Sequence, residues 1–211
     1  MSANRLFRSF SLLTNRWAST FKPNQGSGDT GQSALFSMEQ RWKDDAVFEA
    51  LGTIDELSSH IGLCHARLKA LGLFAETRFL ERVQCDLQDI ASHVATPPSS
   101  SSDSRIKRTS LDAGLEFQLS EATENLAQRL PPLTSFILPG GGETGSTVQV
   151  ARSVCRRAER RLLPLLRQDQ LDPTALRYLN RLSDYFFVLG RWAAQADGAT
   201  ELVYKKSKDA D

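Results

Sequence analysis

Five arginines fall within ten residues of one segment, and their spacing indicates a site for an anion. Arg152, Arg156 and Arg160 recur at intervals of four, so on a helix they form one cationic stripe. Arg157 and Arg161 form a neighbouring stripe. Guanidinium groups this close repel one another unless anionic groups lie beside them, and their planar forks match phosphate oxygens. The pattern favours a polyphosphate site, and composition alone leaves open a solvated helix face or a salt-bridge network between subunits.

A glycine-rich segment at residues 25–31 could hold phosphate by a different route. Its three glycines permit close backbone approach, and amide groups exposed in such a loop can cradle an anion. The segment is not a Walker loop, because no Gly-Lys-Ser/Thr follows it. Lys43 lies just before the first predicted helix and could add a point charge. A flexible linker is the alternative interpretation of the same composition.

Two polar residues on a later helix, Asn180 and Asp184, are four positions apart, with Arg181 beside them. They could present polar groups at the same end of the bundle as the arginines, although one polar flank of an amphipathic helix has the same pattern. The sequence contains no Glu-x-x-His pair, no His-Glu-x-x-His zinc motif and no Gly-x-Ser-x-Gly nucleophile elbow. A di-iron, zinc or serine-hydrolase site is therefore not expected.

Five helical segments must position these residues, because apolar side chains recur in each at intervals of three and four. The expected helices cover residues 44–71, 74–95, 110–130, 143–168 and 172–196. Asp44 or Asp45 is a suitable cap for the first helix, and Asp172 followed by Pro173 is a good start for the last. No strand is predicted. The pattern therefore predicts an all-α, five-helix bundle.

The bulk composition indicates one globular domain. The 211 residues carry a net charge of +1, and 40% of them are hydrophobic. This balance provides no general basic field for nucleic acid, and no apolar run reaches the about 20 residues that a membrane span needs. The three cysteines, Cys64, Cys85 and Cys155, fall in apolar helical patterns, so we expect buried, reduced thiols.

Both ends of the chain differ from its middle. Residues 1–24 are rich in Arg and Ser and contain no acidic residue, which is typical of a mitochondrial transit peptide. An ordinary disordered basic tail is the alternative interpretation. Residues 206–211 are predicted to form a short polar tail. The expected domain therefore covers residues 25–205, and the expected location is the mitochondrial matrix.

Four blocks of the sequence resemble the ATP:cob(I)alamin adenosyltransferases of the propanediol-utilisation type. They are residues 43–58, 131–141, 152–161 and 178–186. The resemblance extends over about residues 25–205 and implies a five-helix bundle that assembles as a homotrimer, with active sites between subunits. It also implies that the 5′-deoxyadenosyl group of ATP is transferred to cob(I)alamin, with Mg²⁺ as cofactor and triphosphate as leaving group.

The same resemblance implies roles for particular residues. The implied ATP-binding set comprises Gln25, Gly26, Ser27, Gly28, Asp29, Ser33, Lys43, Arg156, Glu159, Arg160 and Asn180. The implied cobalamin-binding set comprises Phe136, Asp184 and Phe187. Asp55 is implied to pair with Arg156 across the subunit interface, and Phe136 to crowd the lower face of the corrin. Those three residues are the expected catalytic group.

One block departs from the family pattern. The family usually has basic residues at the positions that Gly26 and Thr30 occupy here. Losing two cations beside a triphosphate weakens ATP binding by roughly 1–3 kcal/mol for each charged contact. The alternative function is therefore a catalytically weakened homologue that binds and carries cobalamin. Besides other copies of the chain, the expected partners are a cobalamin reductase and methylmalonyl-CoA mutase.

Overall fold

The computed structural model describes Gly26 and residues 28–206, and this part of the chain is mostly helical. Two strands and six helices follow in the order β1 Gln32–Ala34, β2 Gln40–Trp42, α1 Ala46–Ala70, α2 Phe74–Val94, α3 Asp103–Arg108, α4 Phe117–Ala127, α5 Gly142–Arg167 and α6 Pro173–Ala196. A 3₁₀ turn at Pro98–Ser100 separates α2 from α3. The all-α prediction with five longer helices is confirmed.

The long helices pack around one apolar core. Helix α5 packs against both α1 and α6, α2 packs against α1, and α4 packs against α6. Fully buried side chains from four of these helices fill the centre, among them Leu57, Leu80, Leu162 and Phe186. Because α5 contacts both α1 and α6, only the side chains on the rest of its surface can face solvent.

Capping side chains set the starts of the first and last long helices. The Val47 amide donates to the Asp45 carboxylate at 2.8 Å, and the Thr174 amide donates to Asp172 at the same distance. Each bond satisfies a backbone donor that has no partner inside the helix. Asp45 is thus the cap of α1, and the predicted start of α6 at Asp172 with Pro173 is confirmed.

The sequence prediction missed the short elements. Strands β1 and β2 form an antiparallel hairpin in which Gln32 lies opposite Trp42, but three residues are too few to show an alternating pattern. Helix α3 has six residues, which are too few to show an apolar period in the sequence. The helix expected over residues 110–130 covers only Phe117–Ala127, because Asp112 turns the chain by accepting a bond from the Gly114 amide at 3.1 Å.

A buried polar group fixes α6 against α2. The Tyr178 hydroxyl donates to Asp86 at 3.0 Å, and Arg82 donates to the other carboxylate oxygen at 2.8 Å. Burial, and then the negative charge of Asp86, raises the pKa of the Tyr178 hydroxyl. Tyr178 therefore stays protonated as a donor, and the bond fixes the rotation of α6 two residues before Asn180.

The cysteines divide into two classes. Cys64 and Cys155 are buried as predicted, and burial raises the pKa of the Cys64 thiol to about 12. Cys85 is exposed, so the prediction was wrong for this residue. Val83 and Leu87 lie on the buried stripe of α2. Cys85 follows Val83 by two positions, which on a helix places it on a different face.

A helix that crosses a membrane must be both long and apolar. None of the helices within residues 28–206 is both long and apolar enough to cross a membrane.

Candidate functional site

One of the two arginine stripes on α5 serves to hold the helices together. Arg157 forms an ion pair with Glu56, and Arg161 lies 3.3 Å from a carboxylate oxygen of Glu49. Both acidic partners are on α1, so these contacts tie α1 to α5 along their exposed edge. This stripe therefore forms salt bridges within one chain, whereas the alternative left open by the sequence was a salt-bridge network between subunits.

The other stripe has polar contacts but no carboxylate partner. Arg152 donates to the Gln149 side chain at 2.7 Å, and burial together with the charge of Arg156 lowers the pKa of the Arg152 guanidinium. Arg160 donates to the main-chain carbonyl of Arg156 at 3.0 Å. Among the described residues, neither Arg156 nor Arg160 forms an ion pair, and both are exposed. Their positive charge is available to an anionic ligand.

Two more predicted nucleotide residues meet directly. The Asn180 side-chain amide donates to Glu159 at 3.0 Å, which joins α6 to α5 beside the arginines. Both residues line a cavity of about 240 Å³ together with Arg177 and Arg181. The interpretation that Asn180 is near the arginine helix is consistent with this contact, which also orients the Glu159 carboxylate.

Asp184 and Phe187 of α6, the residues predicted to bind the corrinoid, take no part in the Asn180–Glu159 contact. Asp184 is exposed, and its nearest cation is Arg181 at 3.9 Å. Phe187 is half-buried three positions further along the helix. The aromatic ring that meets Phe136 in the described chain is that of Tyr204 rather than that of Phe187.

The glycine-rich segment is described from Gly26, with Gln25 and Ser27 outside the described residues. Its backbone is folded by two turns, in which the Asp29 amide donates to Gly26 and the Gly31 amide to Gly28, each at 3.2 Å. Lys43 lies against this turn, since a Cβ atom added to Gly28 would come within 2.6 Å of the Lys43 ammonium nitrogen. Glycine is required there so that the lysine can reach the loop.

The two remaining predicted residues of the hairpin and of α1 are Ser33 and Asp55. Ser33 is half-buried on β1 and lies opposite Arg41 of β2. Arg41 bonds to Glu39 at 2.8 Å, which raises the pKa of the arginine and lowers that of the carboxyl. Asp55 is exposed on α1, and within residues 28–206 it forms no ion pair with Arg156.

The two groups of predicted ATP-binding residues stand apart in one chain. In the described part, no hydrogen bond or ion pair joins the segment from Gly26 to Lys43 to helix α5 or α6. The hairpin is instead attached to the end of α2, where the Phe36 amide donates to Ala95 at 3.1 Å, and to α3, where Arg105 donates to the Ser37 carbonyl at 2.7 Å. We call the segment from Gly26 to Lys43 the hairpin wall, and the α5–α6 residues around Arg156, Arg160 and Asn180 the arginine wall.

Phe136 stands at an exposed apolar surface formed with the C-terminal segment. Its side chain is 72% exposed, and its ring meets Tyr204 edge to face at 6.0 Å. The Tyr204 amide donates to the Phe136 carbonyl at 2.8 Å, and the Leu138 amide donates to Leu202 at 2.7 Å. The sequence did not predict that this segment pairs with the residues around Phe136, because residues 199–204 carry no periodic pattern long enough to predict pairing.

Comparison with known proteins gives the family. A sequence model of the cobalamin adenosyltransferases matches residues 24–193. The chain is 46% identical over 182 residues to the corrinoid adenosyltransferase MMAB of Homo sapiens, and the match covers 86% of this chain and 72% of that protein. It is 37% identical over 182 residues to the corrinoid adenosyltransferase of Bacillus subtilis, covering 86% of this chain and 91% of that one.

A solved structure has the same fold. It is a phenylalanine-to-alanine variant of a PduO-type ATP:corrinoid adenosyltransferase from Lactobacillus reuteri, complexed with cobalamin and ATP. The TM-score is 0.78 at 31% sequence identity, and the match covers 88% of this chain and all of that one. The chain therefore belongs to the cobalamin adenosyltransferase family.

Proposed function

We propose that this protein transfers the 5′-deoxyadenosyl group of ATP to the cobalt of cob(I)alamin. The reduced cobalt attacks the 5′ carbon of ATP, a Co–C bond forms as the C5′–O bond breaks, and triphosphate leaves with the bonding electron pair. The products are adenosylcobalamin and triphosphate. No side chain needs to act as a nucleophile, so the protein contributes binding, orientation and charge.

The observation that supports ATP as the donor is the arginine stripe without acidic partners. Arg156 and Arg160 are four residues apart on α5, and in the described chain no carboxylate neutralises them. The leaving triphosphate gains negative charge as the bond breaks, and preplaced guanidinium groups stabilise that charge. The nearby Glu159–Asn180 pair adds both an acceptor and a donor for the nucleoside part.

The glycine-rich turn and Lys43 are the second part of the proposed ATP site. The Lys43 ammonium lies beside the backbone of this turn at Gly28, where it could contact a phosphate oxygen. Mg²⁺ would be carried by the phosphate oxygens, as is usual for this ion. The described residues are consistent with such an arrangement, because Gly26 and residues 28–206 include no group of three His, Cys, Asp or Glu side chains that could hold a metal.

We propose that the two walls meet between subunits of a homotrimer. Asp55 and Arg156 are both exposed, and neither has an ion-pair partner among the described residues. Opposite charges left on α1 and α5 can pair when another copy of the chain supplies the missing partner. In a closed ring each interface would then bring the hairpin wall of one subunit to the arginine wall of the next.

The exposed Phe136 ring is the proposed contact for the lower face of the corrin. An axial ligand below the cobalt makes reduction of Co(II) to Co(I) harder, so an apolar side chain that excludes it favours the reactive state. The Phe136 side chain is exposed, as contact with a substrate requires. It lies beside apolar side chains of the C-terminal segment, among them Tyr204. Asp184 and Phe187 are proposed to line the same substrate from α6.

A catalytically weakened cobalamin carrier is the second candidate. The observation in its favour is the composition of the turn, where Gly26 and Thr30 supply no positive charge. Corrinoid binding without product would favour the carrier. We further propose a mitochondrial location, supported by the Arg- and Ser-rich, acid-free composition of residues 1–24. There the protein would work with a cobalamin reductase and deliver its product to methylmalonyl-CoA mutase.

Substituting one arginine from each stripe tests the ATP site. Arg156→Ala should weaken ATP binding in calorimetry by about 10- to 100-fold, because one charge-assisted contact contributes roughly 1.5–3 kcal/mol. Arg161→Ala is the matched control on the same helix, since Arg161 faces Glu49. It should leave the affinity for ATP within about threefold of the parent value, as exposed ion pairs are weak. Equal loss in both variants would contradict the assignment.

A further inference from the structure

Arg191 is a buried charge in an apolar stretch of α6. The residue is 9% exposed, and its neighbours Leu189, Ala193 and Ala194 belong to the core. Its Nε donates to one oxygen of Glu201 at 2.6 Å, and one terminal nitrogen donates to the other oxygen at 3.3 Å. A buried guanidinium is tolerated only when its donors are paired in this way.

The same guanidinium also holds a second segment. The terminal nitrogen that reaches Glu201 donates at 3.1 Å to the main-chain carbonyl of Pro131. Arg191 therefore joins α6 to the loop before α5 and to the segment that follows α6. A planar fork with several donors can bond two partners at fixed angles, whereas an ammonium group acts as a point charge.

Both joined segments lead to Phe136. Pro131 lies five residues before Phe136 in the loop, and Glu201 lies three residues before Tyr204. Beyond these anchors the segments pair with each other, through the Leu138 and Tyr204 amides and the antiparallel bridge between Ile137 and Val203. Outside this short ladder neither segment belongs to a named strand or helix. The position of the Phe136 ring thus depends on the bonds of Arg191 to Pro131 in one segment and to Glu201 in the other.

We propose that Arg191 is a positioning residue for the corrinoid side of the reaction. By holding Pro131 and Glu201 together it fixes the ladder that carries Phe136 and Tyr204, and so fixes the apolar surface presented to the corrin. It acts through these segments, since its own side chain is buried behind them. This inference rests on the proposed function, because it assigns a consequence to the placement of Phe136 in that reaction.

The test compares Arg191→Met, Arg191→Lys and Glu201→Gln in the full chain. Arg191→Met should raise the KM for cob(I)alamin by about 10- to 100-fold, because the apolar contact of Phe136 with the corrin is displaced, and leave the KM for ATP within about threefold. Arg191→Lys should restore part of the loss, because it keeps the charge but not the fork. Glu201→Gln should give an intermediate effect, because it leaves one acceptor.

A matched control separates positioning from general stability. Arg82→Met also removes an arginine from a buried carboxylate, here Asp86 on α2, and is expected to lower the melting temperature without changing the KM for cob(I)alamin. If Arg82→Met raises that KM as much as Arg191→Met does, the inference is overturned. If Arg191→Met does not fold, Arg191→Lys and Glu201→Gln take its place. If neither raises the KM for cob(I)alamin above that of Arg82→Met, the inference is overturned.

Hydrogen exchange provides a readout that does not need turnover. The Leu138 and Tyr204 amides donate across the ladder, so their exchange should speed up in Arg191→Met while amides in α1 stay protected. If exchange at both amides is unchanged in Arg191→Met, Arg191 does not hold the two segments together. This result would refute the inference even if the protein is inactive. Faster exchange of these amides in Arg191→Met, together with a parent protein that forms no adenosylcobalamin, would show that Arg191 holds the two segments but has no role in this reaction, which overturns the inference as stated.

Discussion

At the level of single residues, the five arginines of α5 have two different tasks. Arg157 and Arg161 face acidic side chains of α1, whereas Arg156 and Arg160 have no such partner in the described chain. Helical spacing could separate the two stripes, because residues four apart share a face. It could not assign their tasks, because Glu49 and Glu56 approach α5 only when the bundle packs.

Thr30 is the residue at which the altered loop can best be tested. Thr30 is exposed, whereas Gly26 has a φ of 85°, a conformation in which an arginine would be strained. Thr30→Lys should lower the KM for ATP by about 5- to 100-fold, since one restored charged contact contributes roughly 1–3 kcal/mol. The kcat should change little, because the contact binds substrate and transition state alike.

A lysine placed elsewhere controls for net charge in that experiment. Gln118 is exposed on α4, so Gln118→Lys adds the same charge away from the turn. Its KM for ATP should equal that of the parent protein. An unchanged KM in Thr30→Lys would mean that this turn does not face the triphosphate.

At the level of elements, long helices were predictable and short segments were not. The apolar period of α1, α2, α5 and α6 repeats over five or more turns, so their bounds agree with the prediction within about two residues. The β1–β2 hairpin and the pairing of residues 136–138 with 202–204 depend on contacts between distant parts of the chain. Arg191 is one residue of the sequence that indicates such a distant contact, because a charge on an apolar stripe requires a buried partner.

The cap of α6 gives a prediction with a defined pH dependence. Hydrogen bonding from the Thr174 amide lowers the pKa of the Asp172 carboxyl below its ordinary 3.8. The ionised cap therefore stabilises the fold above the unfolded pKa, and this stabilisation is lost as pH falls through the folded pKa. Asp172→Ala should destabilise the protein by about 1 kcal/mol near neutral pH, and by less at about pH 3.

Denaturant unfolding at the two pH values measures this difference. Asp172→Asn is the control, because its amide oxygen can still accept the Thr174 bond but does not titrate in this range. It should be close to the parent protein near neutral pH. A loss for Asp172→Ala that grows as the pH falls would show that the carboxylate is not the stabilising form.

At the level of the whole molecule, we propose that the active site combines residues of more than one chain. The hairpin wall and the arginine wall are not joined by a hydrogen bond or ion pair within the described residues. The chain shares its fold and family with corrinoid adenosyltransferases over most of its length. Trimer formation would complete the site by placing Asp55 of one subunit at Arg156 of the next.

Mixing two inactive variants tests this shared site. Asp55→Ala and Arg156→Ala should each lose activity, and co-expression should restore it, because about one quarter of the interfaces in randomly mixed rings carry both native residues. The control mixes Asp55→Ala with the double variant Asp55→Ala/Arg156→Ala, in which no interface can be complete. Mixed oligomers that show no recovery above this control would contradict the shared site.

The central proposal is the transfer of the adenosyl group, and formation of its product is the most direct measurement. Purified protein is supplied with ATP, Mg²⁺ and chemically reduced cobalamin, and the absorbance spectrum of adenosylcobalamin is followed with time. We predict product in amounts exceeding the protein by many turnovers, together with release of triphosphate. Corrinoid binding without product, under conditions in which a known corrinoid adenosyltransferase is active, would contradict the enzyme and leave the carrier.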